Sequence, residues 1–223
     1  MSEVRVSWRR RLLPAVVLAL ALYVVVRAAG ASQSDSAPPP KEATPTPTAS
    51  ASPPAAATST SSYDPAQYAS SVRARAHQAG VSARLVMAIL YNEAYKPHDP
   101  ALERAWQKYK PDAAFGVANM HRATFDEVKK GRDFADRSWQ DLPDDRDLAI
   151  EAEAWYLHDL AAQLPADRST RYTEDELLAL GYNTGAGNML AFARGATPGS
   201  QARAYLDKLH ANWARAGTAL GEG

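Results

Sequence analysis

The stretch VSARLVMAILYNEAYKPH, residues 81–98, decides how this chain is read. Ser82 can accept an N–H bond at a helix start, and the apolar run behind it predicts a helix to about Ala94. Each helical residue advances about 100°, so Glu93 falls in line with Val86 and beside Ile89 and Leu90. A carboxylate therefore extends the apolar stripe at its C-terminal end. Partial desolvation and the negative end of the helix dipole both disfavour its charged form and raise its pKa. A Glu that keeps its proton near neutral pH is what a general acid requires. The competing reading is a frayed helix end, with Glu93 turned to water or paired with Lys96.

Further helix punctuation lies on both sides. Asp64-Pro65 opens a helix that Gly80 closes, and Asp99-Pro100 starts another over ALERAWQKY. The apolar spacing of DRDLAIEAEAWYLHDLAAQL (145–164) predicts a longer helix ending before Pro165. Thr173 and Glu176 form a capping box ahead of LLALGY, and GSQARAYLDKLHANWARAG (199–217) closes the fold. Alternating strand patterns are nearly absent; AAFGVANM (113–120) is the one place for a short hairpin. The expected fold is one mainly α domain with at most a short hairpin, over residues 63–217.

Ahead of it, composition changes sharply. Residues 1–31 carry Arg5, Arg9, Arg10 and Arg11 before an apolar run from Leu12 to Val26. That run lies between a signal-peptide core and a full membrane span of about 20 residues. Ala29-Gly30-Ala31 has the small-x-small form of a cleavage site, while Arg27 suits an uncleaved anchor. Clustered positives ahead of the run send the rest of the chain out of the cytoplasm. The expectation is an extracytoplasmic protein of the cell envelope, secreted or held by a single membrane pass. Residues 32–62 are almost entirely Ser, Thr, Ala and Pro, which predicts a disordered linker.

The formal charge is zero over 223 residues, with 25 basic and 25 acidic groups. Five Arg and one Glu sit in residues 1–31, which leaves 20 basic and 24 acidic groups beyond them. A mildly acidic domain has no electrostatic footprint for nucleic acid. Cysteine is absent, which excludes disulfides, cysteine nucleophiles and a lipidated cysteine. His77, His98, His121, His158 and His210 are scattered without metal-ligand spacing, so no metal or cofactor is expected. No G-x-S-x-G elbow or phosphate loop appears.

Three stretches bear on Glu93. AAFGVANM holds Gly116 among apolar residues and offers the Asn119 amide beside Met120. LALGYNTGAGNM (178–189) ends a helix at Tyr182-Asn183, with Gly185 and Gly187 allowing a tight turn into the next. The closing helix carries Tyr205 and Lys208. Each alone reads most simply as structure: a glycine connector, a core tyrosine.

Together and in this order they resemble the soluble lytic transglycosylase (SLT) family, the goose-lysozyme-like cleavers of peptidoglycan. That family has a helix ending in "E-S", a "G-L-M-Q" loop, an "A-Y-N-A-G-x-G" turn and a closing helix with a tyrosine. The matching residues here are Glu93-Ala94, Gly116-Val117-Ala118-Asn119 and Gly181-Tyr182-Asn183-Thr184-Gly185-Ala186-Gly187. The resemblance covers about residues 66–213 and implies a lysozyme-like helical domain acting as a monomer on peptidoglycan glycan strands. It implies Glu93 as the catalytic acid, cleaving the β-1,4 bond to leave 1,6-anhydro-muramyl ends. Tyr182 would bond the carboxylate or the substrate's N-acetyl group, and Asn183, Asn119, Met120 and Gly116 would shape the groove. Ala94 replaces the usual Ser, Asn119 the usual Gln, and ALERAWQKYK lengthens the span from Glu93 to Gly116. Those departures keep open a binding or scaffolding module of the same fold that has lost turnover. Asp99 and Asp112 are the candidate second carboxylates of an inverting hydrolase.

Overall fold

The computed structural model describes residues 63–222; the expected export segment (1–31) and linker (32–62) lie outside the described residues. Asp64 accepts the Ala66 amide at 3.1 Å and Pro65 follows, opening a 3-10 turn (Pro65–Tyr68) that leads into α1 (Ala69–Ala79). Ser82 caps α2 (Ala83–Glu93) by accepting the Leu85 amide at 3.1 Å. Asp99 caps α3 (Pro100–Gln107) in the same way through Leu102 at 2.9 Å. Then come α4 (Arg122–Val128), a 3-10 turn at Trp139–Asp141, and α5 (Arg146–Ala161) capped by Asp145. The capping box of Thr173 and Glu176 starts α6 (Glu174–Thr184), which is followed by α7 (Ala186–Ala193) and α8 (Ser200–Ala219). Among the described residues the fold is mainly α, and the β pairing is one isolated bridge, Phe115 with Met120.

The helix expected to show a single apolar stripe is instead enclosed. Every residue of α2 from Leu85 to Glu93 is buried. The reason is tertiary: α2 packs against α8, α1, α5 and α6. Leu85, Met87, Ile89 and Leu90 are all but inaccessible, and truncating any such side chain to Ala costs about 2–5 kcal/mol. The tightest partnership is with α8. Asn92 donates to the Tyr205 carbonyl at 3.1 Å, Asn212 donates to Asn92 Oδ1 at 2.9 Å, and Arg84 donates to the Trp213 carbonyl at 2.9 Å.

Two short motifs bring other segments to the end of α2. In the hairpin, Phe115 N–H donates to the Met120 carbonyl at 3.0 Å and Met120 N–H returns a bond at 2.9 Å. The Phe115 ring stacks on Trp139 with centroids 4.1 Å apart, and Trp139 Nε1 donates to the Met120 carbonyl at 2.9 Å. Gly116 has φ 71°, and a Cβ there would lie 2.8 Å from the Leu142 carbonyl oxygen. At the second motif, Gly185 has φ 86° and joins α6 to α7 without an intervening loop. A non-glycine residue there would be strained, and the abrupt join turns the chain back at the end of α6.

Gly116→Ala should therefore destabilise the domain strongly. Overpacking accounts for about 1–3 kcal/mol and the left-handed backbone for roughly 1–2 more. Urea unfolding followed by tryptophan fluorescence measures this; an unchanged midpoint would show that the hairpin can relax away from Leu142.

Candidate active site

The C-terminal end of α2 delivers Glu93 to the wall of an open cleft of about 610 Å³. The side chain is only 8 % exposed, so it is neither frayed nor turned to water. Both carboxyl oxygens are held by neutral donors. Tyr205 Oη donates to Oε1 at 2.9 Å from α8, and Asn119 Nδ2 donates to Oε2 at 3.0 Å from the hairpin. Burial raises the Glu93 pKa; the Asn119 and Tyr205 hydrogen bonds, then His98 and Lys96, pull back against it. Burial prevails. Lys96 itself is engaged elsewhere: its ammonium donates to the Ala114 carbonyl at 3.5 Å and lies 4.0 Å from Glu103.

Asn119 reaches Glu93 from a left-handed backbone, φ 50°, a conformation that Asn tolerates better than most residues. Its Nδ2 also donates to Tyr95 Oη at 3.0 Å. The hairpin that carries it is anchored twice. Tyr182 Oη donates to the Ala118 carbonyl at 2.5 Å, and Glu103 Oε2 accepts the Gly116 amide at 2.9 Å. Glu103 Oε1 lies 3.0 Å from His98 Nδ1, so α3 is tied to the hairpin through a buried carboxylate.

The residues singled out in the sequence fall into three groups. Glu93, Asn119 and Asn183 line the cleft together. Tyr182 stands beside it, but its hydroxyl bonds the Ala118 carbonyl rather than the carboxylate; it positions the loop that carries Asn119. Met120 (3 % exposed) and Gly116 are packed inside the hairpin, where they shape the turn without reaching the cleft. The contact expected of Tyr182 is made by Tyr205, which reaches the cleft because α8 crosses the end of α2. Asp99 is spent on capping α3. Asp112 lies in an adjoining cleft, with its carbonyl accepting from His121 at 2.8 Å.

Five amide residues line the Glu93 cleft, Asn92, Asn119, Asn183, Asn188 and Gln201, with the Asn92 amide itself engaged by α8. Among the described residues Glu93 is the single carboxylate of its lining. Tyr205 titrates far above the ordinary phenol range because of burial and the adjacent Glu93, which keeps its hydroxyl a donor. The chemistry available is proton delivery from one desolvated acid to a ligand rich in hydroxyl or amide groups. Among the described residues, no group of three or more His, Cys, Asp or Glu side chains could hold a metal ion.

Behind the site lies Glu153 on α5, a carboxyl that the sequence pattern does not single out. It is fully inaccessible and neither oxygen has a hydrogen-bond partner. Burial, followed by the charge of Glu93, pushes its pKa well up. A signal is present in AIEAEAWYL, where Glu153 takes a core position among alanines, but an acid at helical spacing usually faces water.

Compared with known proteins, the chain matches no family model, no curated protein and no solved structure.

Glu153 gives a stability test. A carboxyl with a raised folded-state pKa leaves the fold unpenalised below the unfolded pKa and destabilises it progressively as pH rises toward the folded one. Glu153→Met should therefore be more stable than the wild type at neutral pH. The gap should widen as pH rises above the ordinary glutamate range, with a slope of up to roughly 1.4 kcal/mol per pH unit for one proton. Paired denaturant titrations at rising pH measure it; a gap that narrows with pH would mean that Glu153 is a stabilised carboxylate.

Proposed function

We propose that this protein is an exported lytic transglycosylase of the SLT type, which cuts the β-1,4 bond between N-acetylmuramic acid and N-acetylglucosamine in peptidoglycan. One observation carries the reading: a single buried acid, Glu93, held by two neutral donors in an open cleft whose other polar groups are mostly amides. Most glycosidases place two carboxylates across the scissile bond, one to protonate the leaving oxygen and one to act on the sugar or on water. The Glu93 cleft has one. Glu153 cannot serve as the second, because it has no access to a ligand. A single-acid site suits a substrate that carries its own nucleophile, and an N-acetylated sugar does.

In the proposed reaction Glu93 gives its proton to the glycosidic oxygen as the C1–O bond breaks. The carbonyl oxygen of the sugar's own acetamide closes on C1 and stabilises the cationic centre. The 6-hydroxyl of the same sugar then displaces it, and its proton returns to Glu93. The products are a free 4-hydroxyl on one side and a 1,6-anhydro end on the other, and no water is consumed. Raising the Glu93 pKa keeps the acid loaded at the start of the cycle. Tyr205 and Asn119 hold the carboxyl in one orientation throughout. The amide wall suits the acetamide and hydroxyl groups of the glycan, each of which both donates and accepts.

The full-length protein incubated with purified peptidoglycan should release fragments with anhydro-muramyl ends, read by mass spectrometry. Reducing ends would mean hydrolysis, with Asp112 the candidate for the second carboxylate. Binding without any cleavage would mean a wall-binding module. Glu93→Gln should abolish cleavage and retain glycan binding; anhydro ends released at the wild-type rate would sink the assignment.

Tyr205→Phe should act through Glu93. It removes a bond that lowers the Glu93 pKa, so the alkaline limb of the pH–rate profile should move to higher pH. The maximal rate should fall by about tenfold or more, as expected from losing a positioning hydrogen bond of roughly 1.4 kcal/mol. A limb that stays in place would show that Tyr205 does not contact the working acid.

A further inference from the structure

Among the described residues the exposed large apolar side chains are Tyr95 (66 %), Leu102 (61 %), Trp106 (54 %) and Tyr109 (82 %). All four belong to α3 and its flanks. Scattered apolar exposure is ordinary, but a cluster confined to one segment beside a site marks a binding surface. Three of them, Tyr95, Trp106 and Tyr109, line a cleft of about 570 Å³. That cleft shares Tyr95 and Asn119 with the Glu93 cleft, so the two run into one another across the residue that holds the acid.

The segment is anchored despite its exposed rings. Glu103 ties α3 to His98 and to the Gly116 amide, Arg104 pairs with Asp144 and donates to the Gln140 carbonyl at 3.1 Å, and Asp99 caps the helix start. A platform fixed in this way loses little conformational freedom when a ligand settles on it. Its aromatic side chains alternate with charged groups: Lys96, Lys110 and Asp112 line the same cleft. Lys110 already lies over the Trp106 ring, 5.6 Å from its centroid. Flat rings interleaved with donors and acceptors suit sugar rings, which present C–H faces and hydroxyl edges. They suit acyl chains poorly, since a lipid would strip water from the charges without replacing its hydrogen bonds.

We propose that residues 95–114 form an additional glycan platform that extends the groove past Glu93 and makes the protein select long N-acetylated strands. The proposal rests on the reading of Glu93 as the acid of glycan cleavage. The strand lies across Asn119 and Tyr95, with the bond to be cut at Glu93 and the sugars on one side of it stacked against Trp106 and Tyr109. Occupying both clefts at once adds the two binding contributions, so strand length becomes the property that is selected.

The test measures binding of chitotetraose and chito-octaose to full-length Glu93→Gln, with and without Trp106→Ala and Tyr109→Ala together. Both rings are exposed, so truncating them leaves the core intact. The octaose should bind at least about tenfold more tightly than the tetraose, and the double truncation should erase most of that ratio. An unchanged ratio would overturn the platform; if the wild type still releases anhydro ends, the reading of Glu93 survives that result. Should Glu93→Gln bind neither oligosaccharide, the platform falls, and release of anhydro ends by the wild type decides the reading of Glu93 separately. The same truncations lowering binding to phosphatidylglycerol vesicles while leaving the glycan ratio unchanged would assign the surface to a membrane and reject the proposal.

Discussion

The site depends on how α8 meets the end of α2. A carboxyl group enclosed at a helix end is costly unless its oxygens are satisfied, and Tyr205 and Asn119 satisfy one oxygen each without neutralising it. Neutral donors matter here. A Lys or Arg at the same distance would form an ion pair and pull the pKa down, leaving a permanent anion instead of an acid. Holding the group with a phenol and an amide keeps it oriented while burial still lifts its pKa.

The surroundings can be traced outward from that constraint. Asn119 reaches Glu93 only because the hairpin turns tightly, and it turns tightly because Gly116 fits against Leu142 where no other side chain would. Tyr182 and Glu103 then pin the hairpin at two points, through the Ala118 carbonyl and the Gly116 amide. Tyr182 thus affects the acid at one remove. Glu103 links the same loop to α3, so the segment that carries the exposed rings and the loop that orients Glu93 are one mechanical unit. On the proposed reading, glycan seated on those rings is registered against the acid by shared residues, Tyr95 and Asn119.

Glu153 adds a cost that the core alone does not explain. A fully enclosed carboxyl without a partner opposes folding at neutral pH, and the charge of Glu93 nearby disfavours its ionisation further. While Glu153 stays protonated it adds no charge near Glu93.

Much of the fold was legible in the sequence because caps and breakers are local. Asp64-Pro65, Ser82, Asp99-Pro100, and Thr173 with Glu176 each mark a helix start through bonds within a few residues, and the helices begin there. The short helix at Arg122–Val128 is not legible in the same way, since His121 makes no capping bond and seven residues give little periodicity. Glu93 could be singled out because its register with Val86, Ile89 and Leu90 depends on helical geometry alone. Its surroundings could not. The sequence by itself established a mainly helical domain and one carboxylate on an apolar face. Only the tertiary structure decided that Tyr205 rather than Tyr182 holds that carboxylate, that Met120 and Gly116 belong to the core, and that Glu153 lies behind the site. Those outcomes turn on how helices cross over distances such as the 112 positions between Glu93 and Tyr205, and crossing geometry is set by packing across the whole core rather than by any local pattern.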